Sequence, residues 1–132
     1  MSQIDLCEAR DLLRDPRRVF AFYGLPILAI VGAGAAPITD VWRGAVWAAA
    51  CLVMGGACLA NARHCGRVHC YLTGPFAIAM GALAALHGAG VLALGPGGWN
   101  ILALVLVVGS VVLTFVPELL LGKYRTGRSA RA

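Results

Sequence analysis

Residues 99–121, WNILALVLVVGSVVLTFVPELLL, carry a single charged side chain, Glu118, in a run that is otherwise mostly apolar. A helix that crosses the hydrocarbon of a bilayer needs about 20 such residues. No water is available at that depth, so the segment must satisfy its own backbone hydrogen bonds, which leaves helices and closed barrels. The run is continuously apolar rather than alternating, and that selects a helix.

Three further runs have the required length, at about 19–36, 45–62 and 71–92. The predicted fold is an all-α membrane protein of four transmembrane helices, built as two helical hairpins in one domain, 1–132, with both termini cytoplasmic. Residues 1–18 precede the first helix as an amphipathic segment, with Ile4, Leu6, Ala9 and Leu13 as its apolar positions, and residues 122–132 form a basic tail. The connections are short: Pro37-Ile38-Thr39-Asp40, the stretch 61–70, and Gly95-Pro96-Gly97-Gly98. Thr73-Gly74-Pro75 predicts that the regular third helix starts there. Pro26 predicts a kink in the first. Gly74, Gly81 and Gly88 recur every seven residues, nearly two turns, and form a groove for close helix packing.

Composition agrees with this reading. Apolar residues make up 60% and charged residues 13%, against roughly 45–50% and about 25% in soluble domains. Between Trp47 and Leu121 the only charges are Arg63, Arg67 and Glu118. The net charge of +5 does not point to nucleic acid, because the basic residues flank the apolar runs as topology signals do. The first 18 residues, with four acids and four arginines, do not make a secretory signal, although Ala33-Gly34-Ala35-Ala36 imitates a cleavage site. Of the 11 Lys and Arg, only Arg43 falls outside if both ends lie in the cytoplasm. That distribution sets the predicted orientation, with Trp42 and Trp99 at the outer interface and Tyr71 and Tyr124 at the inner one.

The chemistry concentrates in His64-Cys65-Gly66-Arg67-Val68-His69-Cys70. Thiolates and imidazoles bind soft and borderline metals. Four ligands arranged tetrahedrally around zinc are hard to draw from so short a loop. A two-thiolate site on Cys65 and Cys70, with His64 and His69 as helpers, fits better, and Arg63 and Arg67 favour the thiolate. Cys51, Cys58 and Cys65 are spaced by seven and fall on one face of a continuous helix, about 10 Å apart. Cysteine also packs well as a small apolar residue, so Cys51 and Cys58 fit either role. His87 shares a face with His69 five turns on and is a candidate on the pathway of an ion. Glu118 is the other candidate on that pathway and is expected to pair with Arg63, Arg67 or Lys123. Cys7 is expected to be incidental. Phosphate loops, nucleophile elbows and dinucleotide fingerprints are missing.

Cysteines within a helix and a cysteine pair in a cytoplasmic loop make the chain resemble the mercuric-ion transport proteins of bacterial mercury-resistance operons. The resemblance covers helix count and thiol placement. In that family the membrane cysteines lie in the first helix, whereas here Cys51 and Cys58 lie in the second. It implies a multi-pass protein of the bacterial inner membrane that moves a soft ion, mercuric above all, inward to a cytoplasmic acceptor. Cys65 and Cys70 would be the cytoplasmic pair. On this reading the chain is not an enzyme and holds no cofactor. Its partners are the bilayer, the soft ion and the acceptor, with no nucleic acid and with a homo-oligomer left open. Two other readings stand beside it: a thiol–disulfide membrane oxidoreductase, and a non-catalytic assembly subunit.

Overall fold

Asp15 and Pro16 open the first helix. The Asp15 carboxylate accepts from the Arg17 N–H at 3.0 Å, and Pro16 stands where a helix needs no donor. The computed structural model describes residue 11 and residues 14–122. The expectations for most of the N-terminal amphipathic segment, for Cys7 and for the basic tail lie outside the described residues.

Four helices are long and apolar enough to cross a membrane: α1 (Pro16–Ala35), α2 (Asp40–His64, continued to Cys65), α3 (Val68–Gly88) and α4 (Gly98–Leu121). The kink expected at Pro26 takes the form of a π-helical turn over Phe20–Gly24. There the Leu25 N–H reaches back to the Phe20 carbonyl, just before the proline that cannot donate to the preceding turn.

The second helix starts at Asp40, five residues earlier than composition suggests, because its polar first turn clasps the end of α1. Arg43 pairs with Asp40 at 2.6 Å and donates to the Ala33 and Ala36 carbonyls at 3.0 and 3.3 Å. Those carbonyls belong to a helix end that lacks partners of its own. At its other end α2 stops on Gly66, whose φ of 63° is the left-handed cap conformation.

The third helix begins at Val68 rather than at Thr73-Gly74-Pro75, so Pro75 lies inside it. One lost backbone bond is tolerated in a packed membrane helix. The Thr73 hydroxyl gives the nearby His69 carbonyl a partner at 2.9 Å.

Antiparallel α2 and α3 form the centre of the bundle. Their backbones meet along a seam that pairs Gly44 with Gly88, Cys51 with Gly81, and Gly55 with Gly74. A methyl group built on Gly81 would stand 2.9 Å from the Cys51 Cβ, and one on Gly55 would stand 2.8 Å from the Gly74 carbonyl oxygen. The glycine groove is therefore filled by the partner helix. Helix α1 packs on α2, and α4 packs on α3 through Phe76 against Gly109. The outward side chains of α4, among them Leu104, Val107, Phe115 and Leu119, are exposed, as a surface facing lipid tails requires.

Gly81→Val should therefore lower the unfolding free energy in detergent by about 1–3 kcal/mol through overpacking. Gly32→Ala, where an added methyl meets nothing within 4 Å, should leave it unchanged or slightly raised. Denaturant titration followed by circular dichroism checks both.

Candidate functional site

At the end of the bundle where α2 turns into α3, polar side chains from every helix converge. Cys70, in the first turn of α3, is fully buried, and Cys58, almost two turns before the end of α2, is nearly so. The two pack together in one buried cluster with Ala62. Both are free, with no disulfide between them. The close approach of α2 and α3 at Gly55 and Gly74, about one turn along their helices from Cys58 and Cys70, brings the two cysteines into that cluster.

Each sulfur has further polar neighbours. The Tyr23 hydroxyl of α1 lies 3.2 Å from Cys58 Sγ, and Thr73 Oγ1 lies 3.6 Å from it. Asn61 Nδ2 is 4.0 Å from Cys70 Sγ. His69 Nε2 lies 3.3 Å from the same sulfur, while His69 Nδ1 lies 2.6 Å from Glu118 Oε1 of α4. The carboxylate assigns the proton to Nδ1, so Nε2 is an acceptor aimed at the Cys70 thiol. The result is a chain of thiol, imidazole and carboxylate in which the base is oriented by a third group.

Arg67 closes the cluster toward the bundle end. Its Nη1 is 2.5 Å from Asp11 Oδ2, and its Nε is 3.3 Å from Glu118 Oε1. Asp11 also accepts from Asn61 Nδ2 at 2.9 Å. Burial alone would lower the affinity of the Arg67 guanidinium for its proton. The Asp11 and Glu118 carboxylates outweigh burial and hold its pKa above the ordinary arginine range. One cation between two carboxylates thus ties the segment preceding α1 to the α2–α3 turn and to α4.

The expected site residues divide into groups. Cys58, Cys70, His69 and Glu118 come together. Glu118 takes Arg67 from its three expected partners. His64 is exposed at the end of α2, with its Nδ1 2.6 Å from the Ala60 carbonyl oxygen. The Cys65 backbone ends α2, and the expectation for its side chain lies outside what is described. Cys51 is buried in the central apolar core against Gly81. His87 lies at the opposite end of α3, about 25 Å from Cys70 at 1.5 Å per residue. There its Nδ1 is 2.8 Å from the Leu92 carbonyl oxygen and its ring is 4.9 Å from that of Trp99. Trp99 in turn donates to Asp40 at 3.0 Å and lies under the Arg43 guanidinium, so this end is a structural clasp. Among the described residues no group of three His, Cys, Asp or Glu side chains is arranged to hold a metal ion.

Sequence reasoning did not single out Tyr23, Asn61, Thr73 or Asp11. Tyr23 and Asn61 carried a signal, as polar groups within apolar runs at the same end. Asp11 carried none, because only the folded chain brings it to Arg67. Comparison with protein-family models, with curated proteins and with solved structures produced no match to this chain.

Arg67→Ala leaves Asp11 and Glu118 without their cation. It should cost about 3 kcal/mol of stability, the usual scale for breaking a buried pair from one side. Combined with Glu118→Gln it should cost less than the sum of the single changes, because the two residues share one interaction. Denaturant unfolding of the four proteins of this cycle measures the coupling, and strict additivity would show the contact to be energetically idle.

Proposed function

We propose that this protein binds a soft metal ion between Cys58 and Cys70 and passes it across a bacterial inner membrane toward the cytoplasm. The supporting observation is the packing of two buried cysteines from different helices in one cluster, with an imidazole nitrogen 3.3 Å from one of the sulfurs. Soft thiolates select soft cations. A two-coordinate ion needs no third protein ligand, which agrees with the lack of a three-residue group among the described residues. Zinc would need four ligands. The cargo that best fits two thiolates, and that the resemblance implies, is mercuric ion. Cys65, one residue before the α2 cap, would pass it on to a cytoplasmic acceptor.

Orientation rests on charge. The thiol cluster lies at the end that carries Arg14, Arg17, Arg18, Arg63 and Arg67. Among the described residues Arg43, paired with Asp40, is the one Lys or Arg side chain at the opposite end. Both termini and the cluster therefore face the cytoplasm in this proposal. With Ser129→Cys in a background lacking the native cysteines, an impermeant maleimide should label inverted vesicles and not intact cells. Labelling of intact cells would reverse the proposed direction.

Mercuric uptake by cells expressing the protein should fall to background in Cys58→Ser/Cys70→Ser and should persist in Cys51→Ser. Equal uptake by the double variant and the unaltered protein would remove the basis of the proposal. The same packing also favours a second reading, thiol–disulfide exchange. Oxidation of the pair would release two protons and pass two electrons to a membrane quinone. A Cys58–Cys70 disulfide formed on quinone addition would support it, and thiols that stay alkylatable would exclude it.

A further inference from the structure

Beside the thiol cluster, α1 and α2 diverge around a cavity of about 650 Å³. That volume lies within the range of small-molecule sites. Its walls grade from polar to apolar along the helix axes. Arg18, in the first turn of α1, and His64, at the end of α2, stand at the bundle end. Phe22 and Ala60 lie one turn deeper, and Gly56 with Ala57 deeper still, about 12 Å from His64 by helical rise. A methyl group built on Gly56 meets nothing within 4 Å, so the crevice is open there. Phe22 and Gly56 are both exposed, so it opens sideways.

We infer that this crevice is a binding site for an anionic phospholipid of the leaflet at that end. An apolar recess opening sideways within a membrane span is filled by what surrounds it, which is an acyl chain. The graded walls match a lipid: charge at the headgroup, small apolar residues along the tail. The headgroup preference follows from charge. Arg18 lines the cavity and is exposed, with Asp15 3.5 Å from it, and Arg14, Arg17 and Arg63 are exposed at the same end of the bundle. Arg67 with Asp11 and Glu118 makes a group of one positive and two negative charges, and with four exposed arginines against Asp15 this end remains positive. Basic pockets of this kind hold anionic headgroups with about 1 kcal/mol for each cation near the surface. Asn61 lines the cavity and also bonds Asp11, so the lipid would rest against the wall shared with the thiol cluster. The inference rests on the chain spanning a membrane and does not depend on metal binding.

Native mass spectrometry of the purified full-length protein tests it, with phosphatidylglycerol or phosphatidylcholine added at equal concentration. The unaltered protein should retain one phosphatidylglycerol about fivefold better than phosphatidylcholine, the ratio given by about 1 kcal/mol. Arg18→Gln, a change at an exposed side chain, should bring the two lipids close to parity. Gly56→Leu, which fills the crevice, should abolish retention of both. Equal retention of both lipids by the unaltered protein would overturn the proposal. Phosphatidylglycerol binding unchanged in Arg18→Gln would overturn it too, even if Gly56→Leu failed to fold. A dimer lost in Gly56→Leu while lipid retention persists would assign the crevice to a second copy and overturn it as well. Cys58→Ser/Cys70→Ser should keep its lipid, which separates this site from the metal reading.

Discussion

Close backbone contact between α2 and α3 is the constraint on which the rest depends. In lipid, helices gain little from burying apolar surface against one another, and association relies on packing and on polar contacts. Small residues make that packing possible here: Gly44 meets Gly88, Gly81 receives Cys51, and Gly74 receives Gly55 and Leu59. The same narrow spacing brings Cys58 and Cys70 together near the turn. A larger residue anywhere along the seam would spread the helices and part the sulfurs. The pairing of the two cysteines is therefore a consequence of the packing that holds the bundle.

The second organising feature is the buried polar chain at that end. Bare carboxylates and guanidinium groups are expensive near hydrocarbon. Arg67, Asp11 and Glu118 offset the expense by sharing one network, and Glu118 extends it through His69 to Cys70. Asn61 extends it from Asp11 toward the same sulfur. Five side chains, Arg67, Asp11, Glu118, His69 and Asn61, thus form the network around one thiol while α1 supplies Tyr23 to the other. Among the described residues the opposite end has no comparable chemistry. Its Arg43, Asp40, Trp99 and His87 satisfy helix ends and one another.

Much of this architecture was legible in the residues. Continuous apolar runs located all four helices, and α4 was bounded almost to the residue, because length and hydropathy follow directly from the thickness of a bilayer. The glycine heptad announced the groove. The errors fell where polar residues continue a helix. Asp40 and Arg43 look like a loop until Arg43 is seen to cap α1. Thr73-Gly74-Pro75 looks like a helix start until Val68-His69-Cys70 is seen packed beneath it. The partner of Cys70 was expected nearby in the chain, at Cys65, since a short loop is the simplest way to gather two thiols. The described structure brings Cys58 into the cluster of Cys70, while the Cys65 side chain lies outside what is described. The pairing depends on the register of α2 against α3, which a list of spacings along one helix does not contain. Asp11 shows the same limit, since nothing local marks it as the counter-ion of Arg67.

The central claim is that Cys58 and Cys70 together form one ligand pair. X-ray absorption at the mercury edge, on purified protein loaded with one equivalent of mercuric ion, tests it most directly. The account predicts a first shell of two sulfurs that is lost in both Cys58→Ser and Cys70→Ser and kept in Cys51→Ser. A two-sulfur shell that survives both serine substitutions would place the ion elsewhere and contradict it.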